Sequence, residues 1–301
     1  MKWSLGRIAG VLRRNFRLWS AAMTRSPDQF DAVVRLSLAG RRARYEELRA
    51  QRLQTSTKIL AGHGLKVFSQ SDEDGIIAEI FRRIGTTNRV FVEFGVGNGL
   101  ENNTVALLYQ GWSGLWIEGS PELCGEIRTA FGTAIENRRL SLVNEFVTPE
   151  NIDTLISRHV EGREIDLLSV DIDGNDAHVL SQVKCVSPRV LVVEYNAKFG
   201  PSISYCMAYD ANYQWRKTDR FGASLKYFET MLAQQGYCCV GCNVVGTNAF
   251  FVRQDFVGEL FASPFTAEAH FEPARYELVG LPSGHPSSPD LFRHRVSHES
   301  A

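Results

Sequence analysis

The chain has 301 residues, 44% hydrophobic and 22% charged, with a formal net charge of -1. This length suits one large domain or two small ones, and the near-neutral charge excludes the strongly basic field typical of nucleic-acid-binding proteins. The charge is unevenly distributed, because residues 1–53 hold 12 Lys or Arg against 4 Asp or Glu. We therefore treat residues 1–60 as a separate, basic helical extension.

Residues 1–20 mix five Lys or Arg residues with large apolar residues such as Trp3, Phe16 and Trp19. The arginines interrupt the continuous apolar core that a signal peptide requires. No apolar run in the chain approaches the ~20 residues of a membrane-spanning helix, so we expect a cytoplasmic protein. Two interpretations of residues 1–20 stay open: an amphipathic helix at an anionic membrane surface, or a helix packed on its own domain or a poorly ordered tail.

Apolar periodicity, glycines and prolines predict alternating helices and strands. In chain order we predict helices at 28–60 and 72–84, a strand at 89–94, a helix at 102–110, a strand at 114–118, a helix at 121–131, a strand at 139–144, a helix at 149–162, a strand at 165–171, a helix at 174–184, a strand at 189–194, a helix at 223–235 and strands at 237–245 and 248–253. This alternation predicts a doubly wound α/β fold with a mostly parallel sheet of seven strands.

The last two predicted strands differ from the others because no helix separates them. Only Gly246 and Thr247 lie between 237–245 and 248–253, which predicts an antiparallel hairpin. Beyond it, the sequence is a Pro-, Ser- and His-containing tail. We therefore divide the rest of the chain into a domain over residues 61–255 and a partly ordered tail over residues 256–301.

The first predicted strand runs directly into a glycine-rich turn. It ends in Glu93, which is followed by Gly95, Gly97 and Gly99, and the second strand ends in Glu118. Glycines permit a tight turn and close approach of a ligand, and an acid after the second strand can bind a ribose diol. The dinucleotide fingerprint has its third glycine one place later, so the spacing favours S-adenosylmethionine over NAD; a plain surface turn is the alternative. The closing hairpin, which the dinucleotide fold lacks, favours a Rossmann-like class I methyltransferase fold.

Polar residues follow the predicted parallel strands, where ligands bind in a doubly wound sheet. Such a crowd of acids is costly unless a cation lies nearby. The residues that we predict to bind the cofactor are Glu93, Gly95, Gly97, Asn98, Glu118, Asn144 and Asp171.

Two of these strand ends also predict a metal site and a catalytic group. Asp173, Glu194 and Asn196 have the oxygen ligands that a hard divalent ion prefers, and Mg²⁺ there would bind substrate oxygens and lower a hydroxyl pKa. The alternative is that Asp173 binds the methionine amine of the cofactor. We predict Asp173 and His178 as catalytic residues, since His178 follows a strand end and suits a general base; a helical histidine facing solvent or core is the alternative.

Two further patterns have structural and functional interpretations. Cys239 and Cys242 have zinc-like spacing, but a zinc site of this kind needs four ligands and a second pair is absent, so we predict buried strand cysteines. The stretch 205–220 is rich in Tyr, Trp and Arg. We interpret it as a lid or substrate wall, with a loop packed on its own aromatic residues as the alternative.

Several segments together resemble the FkbM-type methyltransferase superfamily. They are FSQSDEDGII at 68–77, FVEFGVGNG at 91–99, GLWIEG at 114–119, SVDIDGND at 169–176 and NAFFV at 248–252. The resemblance covers about residues 65–255 and implies a Rossmann-like fold with S-adenosylmethionine as cofactor. It implies that Glu93, Gly95 and Gly97 line the methionine part and Glu118 the ribose, with residues 70–74 closing over the site. Relatives often have bulky aromatic residues where this chain has Ala177 and His178.

The sequence therefore predicts an S-adenosylmethionine-dependent methyltransferase. Many relatives in the superfamily methylate hydroxyl groups of sugars or secondary metabolites, so we expect a glycan or small-molecule acceptor. Two other classes stay open: a non-catalytic binding or regulatory protein that keeps the nucleoside fold, and a metal-dependent enzyme of another class that uses the acidic strand ends.

Overall fold

The computed structural model describes residues 27–160, 162–215 and 218–278. The chain divides into two units, residues 1–44 and residues 45–301, and the sheet lies in the second. The membrane contact expected of residues 1–20 and the tail beyond residue 278 lie outside the described residues. Of the helices described, none has the length and apolar character needed to cross a membrane.

The helices and strands alternate along the second unit, as predicted. The α-helices are α1 (Pro27–Thr55), α2 (Glu73–Ile84), α3 (Val105–Tyr109), α4 (Pro121–Glu136), α5 (Ile152–Val160), α6 (Asp176–Leu180), α7 (Leu225–Ala233) and α8 (Ala267–His270). The strands are β1 (Val90–Phe94), β2 (Ser113–Glu118), β3 (Leu140–Asn144), β4 (Leu167–Val170), β5 (Val190–Glu194), β6 (Tyr237–Cys242) and β7 (Asn248–Arg253).

The seven strands form one sheet in the order β3-β2-β1-β4-β5-β7-β6. Strands β1 to β5 are parallel, and β7 is antiparallel to both β5 and β6. This is the topology of class I methyltransferases, and it confirms the mostly parallel sheet with an antiparallel end. The strand order reverses between β1 and β4, and their carboxyl ends therefore flank the crevice where ligands bind in such sheets.

Both faces of the sheet are buried, which explains the continuous apolar runs of its central strands. Along β1, Val92 and Phe94 pack into one core, and Phe91 packs into the other. Trp116 of β2 lies in the same core as Phe91, and its ring meets Phe131 of α4 edge to face at 4.8 Å. These two cores fix the carboxyl edge on which the polar residues lie.

Segments from both ends of the second unit pack together at one side. Tyr45 and Leu48, from the end of α1, share a small core with Val245 and Leu278. Nearby, Tyr195 at the end of β5 donates a hydrogen bond of 2.5 Å to the carbonyl oxygen of Glu272. The chain beyond residue 255 is thus attached to the sheet as far as residue 278.

The connection between β6 and β7 is longer than predicted. It comprises residues 243–247 rather than Gly246 and Thr247 alone. The Asn243 side chain ends the strand early, because its Oδ1 accepts hydrogen bonds from the backbone N–H groups of Thr247 and Asn248 at 2.9 and 3.0 Å. The prediction of buried strand cysteines is confirmed, since Cys239 and Cys242 are buried free thiols.

Candidate functional site

The glycine-rich turn after β1 adopts backbone angles that glycine reaches without strain. Gly95, Gly97 and Gly99 have positive φ angles of 78°, 57° and 80°. A side chain at Gly95 would also clash with the end of β4, because a Cβ atom there would lie 1.6 Å from the carbonyl oxygen of Asp171. The turn therefore lies against the end of β4, and Gly95 itself is exposed.

Glu118 ends β2 and is fixed by backbone groups on both sides. One carboxylate oxygen accepts a hydrogen bond from the N–H of Gly97, and the other accepts from the N–H of Ser120, both at 2.8 Å. An ionised carboxylate has about four acceptor positions, so about two remain for a ligand. Glu118 is 9% exposed, and it also lines a cleft.

That cleft runs along the carboxyl edge of the sheet and has a volume of about 370 Å³. Small-molecule sites typically have volumes of about 300–1,000 Å³. Its lining residues are Gly95, Gly97, Ile117, Glu118, Gly119, Leu123, Glu145, Phe146, Val147, Thr148, Asp171, Ile172, Asp173, Asn175, Tyr209, Ala211 and Tyr213. Phe146 has a large apolar ring that is 74% exposed. It was not predicted as a site residue, because its sequence neighbours are those of an ordinary loop.

Four of the seven predicted cofactor residues line the cleft: Gly95, Gly97, Glu118 and Asp171. The remaining three, Glu93, Asn98 and Asn144, are not among its lining residues. Asn144 donates from Nδ2 to the carbonyl oxygens of Glu118 and Gly119 at 2.9 and 3.1 Å. Asn98 accepts at Oδ1 from the N–H of Leu100 at 3.2 Å. Both side chains thus brace the loops that form the cleft.

Glu93 is 3% exposed and does not reach the cleft. Its carboxylate accepts hydrogen bonds from the N–H of Asn103 at 2.9 Å and from Thr104 Oγ1 at 2.5 Å. Trp116 Nε1 donates in turn to Thr104 Oγ1, and Asn103 Nδ2 donates to Ser169 Oγ. Burial raises the pKa of Glu93 to about 7. This network fixes residues 103–104 across three neighbouring strands.

A cluster of three carboxylates lies at the switch point. Asp171 and Asp173 follow β4 and Glu194 ends β5, and one oxygen of each lies within 4.8 Å of the others. Burial, followed by the charges of Asp176 and Asp173, raises the pKa of Asp171 well above its usual value. Burial and the charge of Asp171 do the same to the pKa of Glu194. Desolvation also raises the pKa of Asp173.

The structure thus brings together two of the three predicted metal ligands, with Asp171 beside them. The third, Asn196, is fully buried and binds a neighbouring loop. Its Nδ2 donates to the carbonyl oxygens of Asp219 and Phe221 at 2.8 and 3.0 Å, and its Oδ1 accepts from the N–H of Lys198 at 3.2 Å. Asn196 therefore holds a loop in place.

His178, the predicted general base, holds the aromatic segment beside the cleft. Its Nε2 lies 2.7 Å from the carbonyl oxygen of Met207, and a carbonyl only accepts, so Nε2 carries the proton. The His178 ring also meets the Tyr209 ring at 5.6 Å. Asn175 Nδ2 donates to the carbonyl oxygen of Asp210 at 2.8 Å. The loop after β4 and helix α6 thus position the segment that contributes Tyr209 and Tyr213 to the cleft.

Residues 70–74, which were expected to close over the site, are tied to the last hairpin. Glu73 is fully buried, and its Oε1 accepts from Nδ2 of Asn243 and Nδ2 of Asn248 at 2.9 and 3.0 Å. Its other oxygen accepts from the N–H of Ser71. Helix α2 begins here without a side-chain cap. Asp74 in its first turn accepts from the N–H groups of residues 67–69.

The strand order, the antiparallel β7 and the cleft at the switch point define a class I methyltransferase fold. No protein-family model matches the chain, and no curated protein does so either. The resemblance to the FkbM-type superfamily therefore stays a prediction.

The chain is similar to several solved methyltransferase structures at low sequence identity. One is magnesium protoporphyrin IX methyltransferase from Synechocystis PCC 6803 with bound SAM, at 13% identity over 60% of this chain and 77% of that one, with a TM-score of 0.39. A glycopeptide N-methyltransferase with sinefungin has 14% identity over 60% and 87%, with a TM-score of 0.38. An S-adenosylmethionine-dependent methyltransferase from Clostridium acetobutylicum has 12% identity over 58% and 88%, with a TM-score of 0.37.

Proposed function

We propose that the protein is an S-adenosylmethionine-dependent methyltransferase that methylates a hydroxyl group of a glycan or another small metabolite. The observation that carries this proposal is the position of Glu118. Its carboxylate ends β2, is held by the N–H groups of Gly97 and Ser120, and lines the cleft beside the switch point. Its remaining acceptor positions suit the two hydroxyl groups of a ribose.

The rest of the cleft supports the same ligand. The exposed ring of Phe146 lies over Gly119, where a Cβ atom would be 2.5 Å from it, and a flat adenine ring can stack on such a surface. On the other side, Gly95 and Gly97 let the methionine part approach the backbone. The cofactor would therefore lie across the glycine turn, with its sulfonium directed towards Asp171.

The acceptor would enter beside Tyr209 and Tyr213, which suit stacking against a sugar or aromatic ring. In the transfer, the acceptor oxygen attacks the methyl carbon, the bond from carbon to sulfur breaks, and S-adenosylhomocysteine leaves. Alignment of these atoms supplies much of the rate. We assign the hydroxyl proton to Asp173, because its exposed carboxylate lines the cleft beside Tyr213.

The location and partners belong to the same proposal. We propose a cytoplasmic enzyme that contacts a membrane surface through residues 1–20, which the basic and apolar composition of that segment supports. Such contact would bring the enzyme to a lipid-linked or membrane-adjacent acceptor, and no nucleic-acid partner is proposed.

Calorimetry with S-adenosylhomocysteine tests the cofactor directly. We expect binding by the wild type and binding weaker by at least about ten-fold in Glu118→Ala, because charged hydrogen bonds are lost. Glu136→Ala, at the far end of α4, makes the same charge change and should bind normally. Absence of binding by the wild type would overturn the proposal. Transfer of a tritiated methyl group into a glycan fraction then identifies the acceptor, and binding without transfer would favour a non-catalytic role.

A further inference from the structure

The three carboxylates at the switch point are spaced as the ligands of one ion. Asp171 and Asp173 come from the end of β4 and Glu194 from the end of β5, with one oxygen of each within 4.8 Å of the others. Oxygen ligands lie about 2.0–2.6 Å from Mg²⁺ or Ca²⁺, so two ligands on opposite sides of an ion are about 4–5 Å apart. A single cation can therefore contact all three residues.

Among the residues that the structure describes, no Lys, Arg or His side chain forms an ion pair with these carboxylates. The ion pairs of that part of the chain involve other acids and leave Asp171, Asp173 and Glu194 out. Carboxylates at this separation repel each other when all are ionised. They must therefore either share protons or face a cation from solution.

A second, independent observation lies on the neighbouring strand. Asn248 is directly opposite Glu194 in the antiparallel pairing of β5 with β7, so the two side chains project from the same face of the sheet. Asn248 is only 4% exposed. Its Nδ2 donates to Glu73, but its Oδ1 has no hydrogen-bond partner among the described residues, and Glu194 Oε2 has none either.

Each of these buried oxygens without a donor is costly, since an unsatisfied buried acceptor costs about 1–3 kcal/mol. A proton on Glu194 could be donated to the amide oxygen of Asn248, but it would leave the charges of Asp171 and Asp173 facing each other. A metal ion satisfies several oxygens at once, and a set made only of carboxylate and amide oxygens suits hard cations.

We infer that Asp171, Asp173 and Glu194 bind one hard divalent cation, Mg²⁺, Mn²⁺ or Ca²⁺, with Asn248 Oδ1 as a neutral oxygen donor beside Glu194. Asn196, which the sequence suggested as third ligand, is replaced by Asp171. Ion binding itself stands independently of the proposed methyl transfer. Its role rests on that function: the ion would bind the acceptor oxygen and lower its hydroxyl pKa, and the second oxygen of Asp173, which does not bind the ion, would accept the proton.

The test uses the full-length protein, stripped with EDTA and dialysed, without any cofactor. Mn²⁺ is titrated, and the free ion is measured by electron paramagnetic resonance. We expect one Mn²⁺ per chain, displaced by excess Mg²⁺ or Ca²⁺. In Glu194→Gln, which keeps the size of the side chain, we expect binding weaker by at least about ten-fold. Glu136→Gln changes an exposed acid at the far end of α4, outside the cleft, and should bind as the wild type does.

S-adenosylhomocysteine binding by the same proteins separates this inference from the proposed function and shows that each variant is folded. Glu194→Gln should lose Mn²⁺ and keep S-adenosylhomocysteine, whereas Glu118→Ala should do the reverse. A wild type that binds S-adenosylhomocysteine but no Mn²⁺ would overturn the metal site alone, as would equal Mn²⁺ affinity in Glu194→Gln. Mn²⁺ binding without S-adenosylhomocysteine binding would overturn the proposed function and leave the metal site.

Discussion

The carbonyl oxygen of Asp171 lies 1.6 Å from the point where a Cβ atom on Gly95 would be. The clash is with backbone at the end of β4, so no rotamer change relieves it, and the positive φ of Gly95 adds strain for any other residue. We expect Gly95→Ala to lower the free energy of unfolding by about 2–4 kcal/mol and to abolish S-adenosylhomocysteine binding.

Urea unfolding and calorimetry check this expectation. Gly125 in α4 provides the control, because a Cβ atom there has no neighbour within 4 Å. Gly125→Ala should stabilise the protein by about 0.5–1 kcal/mol through higher helix propensity. Equal unfolding free energies for the two variants would contradict the close approach of the turn to β4.

The buried carboxyl group of Glu93 predicts a pH dependence of stability. Burial raises its pKa from 4.5 to about 7, so the folded state keeps a proton that the unfolded state has already released. Stability from this group is therefore present below pH 4.5 and is lost as the pH rises towards 7. The loss amounts to at most about 3 kcal/mol.

Glu93→Gln removes this titration. Relative to the wild type, the variant should gain free energy of unfolding between pH 5 and pH 8, as measured by urea unfolding at both values. A constant difference between the two proteins across this range would show that Glu93 is ionised when folded.

His178 is expected to act as an anchor of the aromatic segment, through the hydrogen bond from Nε2 to the Met207 carbonyl oxygen. Loss of a general base typically costs about 10²–10⁴-fold in rate. Glutamine can still donate a hydrogen bond but cannot act as a base. We therefore expect His178→Gln to keep the rate of methyl transfer within about ten-fold of the wild type.

His178→Ala, which lacks the donor, should raise the KM for the acceptor, because Tyr209 and Tyr213 lose part of their support. Steady-state kinetics over a pH series distinguish the roles. A fall of two or more orders of magnitude in kcat for both variants would assign the base to His178 after all.

The basic residues of the N-terminal segment predict binding to anionic lipid. Each Lys or Arg near such a surface contributes about 1 kcal/mol. Changing Arg13, Arg14 and Arg17 to Glu in the full-length protein should therefore lower the affinity for phosphatidylserine vesicles by about two orders of magnitude. Co-sedimentation measures this, with neutral phosphatidylcholine vesicles as the control lipid. Equal pelleting of both proteins would remove the membrane contact from the proposal.

Much of the fold could be predicted because its signals are local. The sequence shows apolar runs such as β1 and β5, the glycine turns and the absence of a helix between the last two strands. Because the first five strands are parallel, the residues that follow them lie at the same edge of the sheet. The start of α4 is also visible locally, since Ser120 stands before Pro121 and its Oγ accepts from the N–H of Leu123. The glycine spacing identified the turn that lies beside Glu118.

The roles of individual polar side chains could not be predicted, because they depend on distant partners. Glu93 is satisfied by Asn103 and Thr104, which reach it only once the sheet has formed. Asn196 is engaged by a loop more than 20 residues away in sequence. Which of several acids at one edge meet in space depends on backbone direction after each strand, and the left-handed φ of Asp173 is not visible as a sequence pattern.

The hydrogen bonds of Glu73 have a consequence for synthesis on the ribosome. Its partners Asn243 and Asn248 lie 170 and 175 residues further along the chain. During translation, the first α/β units emerge long before this hairpin, and burial of the Glu73 carboxylate with only its local donor, the N–H of Ser71, is disfavoured. The start of α2 therefore cannot reach its native environment until β6 and β7 have left the exit tunnel. Completion of the sheet therefore waits for synthesis of residues 237–253, and a chain truncated before residue 243 would lack the Asn243 and Asn248 side-chain donors of Glu73.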